Sequence, residues 1–188
     1  MVANQIHSLI CSTYGHTLVL FTSYTLMGSV YQILRDSLPF PMVEVWRHSQ
    51  EEILRFKTME NGVLFAAGSC WEGVDFPGDM VSSLIIVKLP FAVPDPIHEA
   101  QREQYRSLES YIQNVVVPDM QKKLRQGFGR AIRTEQDTCV VSILDHRAAK
   151  KGKYRGDVLD ALPKCQMAEK IDEVEDFIRS RKVERYYS

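Results

Sequence analysis

The sequence predicts an α/β fold: a three-layer sandwich, with a mostly parallel central sheet and helices on both faces. Three observations carry this. First, short apolar runs of strand length (Thr17–Phe21, Met42–Trp46, Val63–Ala67, Ser82–Leu89 and Thr138–Leu144) alternate with longer stretches whose apolar residues recur at helical spacing. Second, several of these runs are apolar at nearly every position, as in Leu18-Val19-Leu20-Phe21 and Leu84-Ile85-Ile86-Val87. That pattern suits strands covered on both faces, which is the condition of a parallel sheet. Third, 188 residues with 45% hydrophobic and 25% charged content suffice for one domain with a sizeable core.

The elements follow in order. Gln5–Tyr14 places Ile6, Leu9 and Ile10 on one side of a helix and leads into the Thr17–Phe21 strand. Thr25–Leu38 has Leu26, Val30, Ile33 and Leu34 at helical spacing, with Ser23 or Thr25 as its N-cap. Met42–Trp46 is a short strand. Ser49 with Glu52 three residues on forms a capping box for the helix Gln50–Met59. After the strands Val63–Ala67 and Ser82–Leu89, Pro94-Asp95-Pro96 breaks the chain. Ile97–Asn114 and Pro118–Ile132 are then helical, and Thr138–Leu144 is the last strand. Ile171, Val174 and Ile178 recur at helical spacing, so residues 166–188 are expected to form an amphipathic helix that packs on, or extends, the domain of residues 1–165.

Two segments carry chemistry. Gly68-Ser69-Cys70-Trp71-Glu72-Gly73-Val74-Asp75-Phe76-Pro77-Gly78 follows an apolar strand. A strand followed by a Gly-rich turn with carboxylates is where open α/β sheets place ligand contacts. Gly73 lets the backbone approach a ligand closely, and Asp75 suits a sugar hydroxyl. An ordinary strand-to-loop turn has the same composition. In Gln126-Gly127-Phe128-Gly129-Arg130-Ala131-Ile132-Arg133, two arginines stand three residues apart and share a helix face. Two guanidiniums aimed one way suit a polyphosphate, and in phosphoryl transfer such groups stabilise the developing charge. The same spacing also serves a solvated, salt-bridged helix face.

Together these segments resemble motifs V and VI of superfamily 2 helicases, in the DinG/XPD branch: Trp71-Glu72-Gly73-Val74-Asp75 for the first, and Gln126, Gly129, Arg130 and Arg133 for the second. Leu18-Val19-Leu20-Phe21-Thr22-Ser23-Tyr24 is similar to that branch's motif IV. Lys88-Leu89-Pro90-Phe91 with Pro94 and Pro96 is similar to its post-motif-V strand and loop, and Tyr154 with Leu162-Pro163 to its closing segment. The resemblance spans residues 5–165 in the family's order and concerns the second RecA-like motor lobe only. It implies a RecA-like fold and a 5′–3′ ATP-dependent DNA helicase. Gln126, Arg130 and Arg133 would be catalytic; Glu72, Gly73, Asp75 and Gly129 would face nucleotide; Thr22, Ser23, Tyr24 and Ser69 would line the single-stranded DNA track. ATP and Mg2+ are implied, with the Mg2+ ligands on a first RecA-like lobe of the same polypeptide. Single-stranded or forked DNA is the implied partner, in the cytoplasm and away from membranes. An iron–sulfur cluster, where the branch has one, belongs to the first lobe.

The residues limit this reading in one respect. A P-loop needs Gly-x-x-x-x-Gly-Lys-Ser/Thr. The only Gly-Lys here, Gly152-Lys153, is followed by Tyr154, and Arg147 stands where the first glycine belongs. Asp172-Glu173-Val174-Glu175 imitates a Walker B pair, but lies on the charged face of the predicted C-terminal helix. The lobe alone is therefore expected to be inactive. The four cysteines, Cys11, Cys70, Cys139 and Cys165, are far apart and form no Cys-x-x-Cys pair, which argues against a zinc ribbon.

Net charge is −1, yet residues 121–155 hold ten basic residues (Lys122, Lys123, Arg125, Arg130, Arg133, Arg147, Lys150, Lys151, Lys153 and Arg155) against Glu135, Asp137 and Asp145. That segment could face phosphates. His146, after the last strand, reads as a structural hydrogen-bonder. Two further readings stay open at this point: a non-catalytic nucleotide- or nucleic-acid-binding module, and a free-standing α/β regulatory domain of flavodoxin-like build.

Overall fold

The computed structural model describes residues 2–46, 50–68, 76, 78–93, 95–132, 134 and 137–187. Five strands, β1 (Thr17–Phe21), β2 (Met42–Val45), β3 (Val63–Ala67), β4 (Ser83–Ile86) and β5 (Val140–Ile143), form one sheet of order β2-β3-β1-β4-β5. Every pairing is parallel; Leu18 lies between Leu64 and Leu84, and Leu20 between Ala66 and Ile86.

The period of two sorts the strand residues into two cores. Val19, Phe21, Val63, Phe65, Ala67, Ile85 and Val87 face α1 (Val2–Ser12) and α2 (Tyr24–Leu34), meeting Ile6, Ile10, Met27, Val30 and Leu34. Leu18, Leu20, Val43, Val45, Leu64, Ala66, Leu84 and Ile86 face the opposite layer. There they meet Phe56 of α3 (Gln50–Lys57), Val117, Met120 and Leu124 of α6 (Val117–Phe128), and Val158 and Ala161 of α7 (Arg155–Ala161). The expected three-layer sandwich is observed, and β1 and β3 match their predicted bounds. β1 and β3 are buried at all five positions, which is why they read as unbroken apolar runs.

The chain between β4 and β5 departs from expectation. The break falls at Gln104–Ser107, not before Pro118. After α4 (Pro96–Glu103), Ser107 accepts from the Ser110 N–H and starts α5 (Leu108–Tyr111). Helix then runs on into α6 through a wide turn at Ile112–Val116, where the Val117 N–H reaches the Ile112 carbonyl. Pro118 occupies the first turn of α6. Proline has no N–H, and the wide turn re-pairs the backbone just ahead of it, so proline here marks a π-turn and not a helix end. The last turn of the predicted Pro118–Ile132 helix also closes early, at Gly129. α7 was not predicted; its seven residues are too short to show a period. The predicted cap Ser49 lies outside the described residues.

α8 (Ile171–Arg181) packs on α1 and buries Val174 and Ile178, as their spacing predicts. Its far end covers the turn between α1 and β1. There Tyr14, Gly15 and His16 all have positive φ, at 56°, 78° and 47°. A Cβ on Gly15 would stand 2.2 Å from the Asn61 carbonyl oxygen, so only glycine fits. The other two residues, which disfavour this region, are each held by the C-terminal segment. Tyr14 hydrogen-bonds Glu175 and sits beneath the Arg179 guanidinium. The His16 ring stacks on Tyr186 at 3.9 Å, 13° from parallel.

Candidate nucleotide and nucleic-acid surfaces

The carboxyl ends of the strands define one surface. Thr22 and Ser23 leave β1 exposed, and Ser23 caps α2, its hydroxyl accepting from the Leu26 N–H at 3.4 Å. The first N–H groups of an 11-residue helix are thereby presented at this edge. Tyr24, the first residue of α2, reaches across to β3, where its hydroxyl donates to the Ala67 carbonyl at 3.4 Å. Gly68, at φ 63°, follows. A Cβ there would stand 2.6 Å from the Tyr24 Oη, so the glycine is required by both its backbone and its neighbour. Pairing of β1 with β3 thus brings the start of the Gly68–Gly78 segment beside Thr22, Ser23 and Tyr24.

On the same edge, Asp145 at the end of β5 is buried, its side chain 2% exposed. It accepts from the Leu89 N–H at 3.0 Å, from the Arg147 N–H at 3.0 Å, and from Arg147 Nε and Nη2 at 3.0 and 2.6 Å. Burial opposes ionisation of this carboxyl, but the Arg147 guanidinium and the two N–H groups outweigh it and hold the group well below the usual carboxylate range. Arg147 in turn lies over the Phe91 ring at 4.7 Å, and Phe91 packs on Tyr154. This bracket fixes the Leu89-Pro90-Phe91 loop to the last strand. His146, expected as the structural hydrogen-bonder of this corner, is exposed; Asp145 and Arg147, which flank it and stood in the sequence only as charges, hold the corner together.

The second surface is the end of α6. The chain leaves β4 at the carboxyl edge and must re-enter the sheet at Val140, on the amino edge, so α6 runs back along the strands. Gln121, early in α6, donates to the Asp157 carbonyl of α7. Gln126 lies in the last turn of α6, whereas Arg130 falls in the turn beyond the Gly129 cap and not on a helix face as its spacing predicts; its Nε donates to the Gln126 backbone carbonyl at 3.3 Å. The side-chain oxygen of Gln126 is buried with no hydrogen-bond partner among the described residues. Gly129 is exposed and right-handed at φ −63°, so its backbone does not demand glycine. Phe76 packs edge-on against Phe56 in the same layer as α6.

The predicted site residues therefore form two groups at opposite ends of the strands: Thr22, Ser23 and Tyr24 on one, Gln126, Gly129 and Arg130 on the other. Ser69, Glu72, Gly73, Asp75 and Arg133 lie outside the described residues. Among the described residues, no group of three or more His, Cys, Asp or Glu is placed to hold a metal ion, and no helix is long and apolar enough to cross a membrane.

A family model described as a helicase C-terminal domain matches residues 6–165. The chain is 35% identical over 174 residues to the 3′-5′ exonuclease DinG of Bacillus subtilis, covering 88% of this chain and 19% of that protein. It is 38% identical over 157 residues to the ATP-dependent DNA helicase DinG of Photobacterium profundum, covering 78% of this chain and 22% of that protein. The apo structure of XPD superposes with a TM-score of 0.65 at 21% identity, over 84% of this chain and 33% of that one, a likeness of RecA-like fold. The chain thus spans about a fifth of the length of these curated relatives.

Proposed function

This chain belongs to the family of helicase C-terminal domains, of the DinG/XPD type, and on that premise we propose that it is the second motor lobe of an ATP-dependent DNA helicase. A first RecA-like lobe of the same polypeptide supplies the P-loop, the Mg2+ ligands and the group that activates water. This lobe supplies the closing surface. Arg130 and Arg133 stabilise charge on the transferring phosphoryl group, with Gln126 beside them, and Asp75 with Glu72, Gly73 and Gly129 completes the nucleotide contact. Thr22, Ser23, Tyr24 and Ser69 hold the single strand. Closure on ATP and reopening after hydrolysis step the pair of lobes along DNA in the 5′ to 3′ direction, on forked or single-stranded substrate, in the cytoplasm.

The observation that carries this reading is the end of α6, where Arg130 follows the helix cap and bonds the Gln126 backbone carbonyl while the Gln126 side-chain oxygen is buried without a partner among the described residues. A buried acceptor without a donor costs about 1–3 kcal/mol, and a group arriving from a second lobe would relieve it. An amide oxygen accepts a hydrogen bond, so its natural partner is a water or N–H and not a phosphate oxygen.

The test is ATP turnover by this chain alone, and by the polypeptide that joins it to a P-loop lobe. Turnover only in the joined form, stimulated by single-stranded DNA, is expected. Metal-dependent hydrolysis by the isolated chain would overturn the division of labour.

A further inference from the structure

We infer that Trp46, stacked on Tyr24, is a base-stacking shelf for a single-stranded nucleic acid, an inference that rests on the DNA-track reading above. Trp46 follows directly on β2 at the carboxyl edge, two strands away from β1. Its side chain is left 47% exposed, unusual for the largest apolar side chain. The exposure is not looseness. The indole lies 15° from parallel with the Tyr24 ring at a centroid distance of 5.6 Å. Tyr24 is itself tied to the Ala67 carbonyl, over the glycine at position 68.

α2 also accommodates the ring. A Cβ at Gly28 would stand 3.3 Å from Trp46 Cζ2 and 3.5 Å from Cη2. Glycine is a poor helix former, and here it leaves room for a flat aromatic group beside α2.

Two features converge. A rigid aromatic pair spans the end of β3. The exposed Thr22 and Ser23 hydroxyls and the capped start of α2 adjoin it, suited to a phosphate. An aromatic face beside phosphate donors is the arrangement that binds single strands without reading sequence, because every base has a π-face. A protein partner would be better served by an apolar patch without the exposed hydroxyls.

The test separates bases from phosphates. Binding of this chain to oligothymidylate and to an abasic oligonucleotide of equal length is measured by fluorescence anisotropy at low salt, for the wild type, Trp46→Ala and Trp46→Phe. Stacking on one base is worth about five- to hundredfold in affinity. Wild type should favour the base-bearing strand by that factor, Trp46→Ala should lose the preference with abasic affinity unchanged, and Trp46→Phe should keep part of it. Equal affinity of wild type for both strands would overturn the shelf and leave the DNA track standing. An equal loss on both strands in Trp46→Ala would also overturn it. Binding of neither strand would overturn the track reading itself. Dimers that dissociate on Trp46→Ala would assign the ring to a second copy of the chain instead.

Discussion

Asp145 and Leu89 join the ends of two adjacent strands: the carboxylate at the end of β5 accepts the backbone N–H just past β4 at 3.0 Å. The same carboxylate carries Arg147, so one buried charge organises two loops. Asp145→Asn keeps the shape but leaves the guanidinium without its counter-charge. Breaking a buried pair costs up to 3–5 kcal/mol. Because the Arg147 side chain is 35% exposed, a loss of about 2–3 kcal/mol is expected, read as a lower urea midpoint with an unchanged slope. The carboxyl is held below its ordinary value, so its contribution is present above about pH 4 and lost only as pH falls further. The difference between wild type and variant should therefore be constant from pH 6 to 8.

His16 also holds stability that is lost on acidification, through burial of a neutral ring and at a higher pH than Asp145. Burial lowers its affinity for protons, against the opposing pull of the Tyr186 carbonyl and of Asp79, with Lys182 adding to the lowering. The unfolded chain takes up a proton below about pH 6.5 that the folded chain resists, so stability falls as pH drops through that value. His16→Asn removes the titration and tolerates positive φ. Melting curves at pH 7.5 and 5.5 should show a larger drop in Tm for wild type than for the variant; equal drops would remove His16 from the effect.

Arg133→Ala, in the polypeptide that includes the P-loop lobe, is expected to lower kcat for ATP about a thousandfold, about 4 kcal/mol. Arg130→Lys should recover little, since an ammonium lacks the planar fork of donors. Steady-state ATPase assays give both values, and an unchanged kcat for Arg133→Ala would remove it from the transition state.

Single-strand binding by this chain should fall steeply with salt, as counterions released from phosphates oppose association. Titrations between 50 and 200 mM salt measure the slope. A flat response would show that phosphates are not what the chain holds.

Much of this was legible in the chain itself. β1, β3 and β4 appeared because they are buried at every position, the partly buried edge strands β2 and β5 by their short apolar runs, and the motif residues stood out by type and spacing. Other features depend on distant parts of the chain and leave no local period. Asp145 reads as a turn residue until Leu89 and Arg147 are placed around it. Trp46 reads as the end of a strand until Tyr24 is seen beside it. Pro118 reads as a helix breaker because a π-turn has no sequence signature as strong as proline's own. The grip of the C-terminal segment on Tyr14 and His16 joins residues more than 150 positions apart, beyond the reach of any window.

The two candidate surfaces sit at opposite ends of the same strands, and that geometry makes the sheet a lever arm. A five-residue strand such as β1 is about 16 Å long. Pivoting the lobe by about 12° at its α6 end would sweep Thr22 through roughly 3 Å, close to the rise of one nucleotide along a strand. With both faces packed, the strands have little freedom to bend, so a small rotation at one end would arrive undiminished at the other.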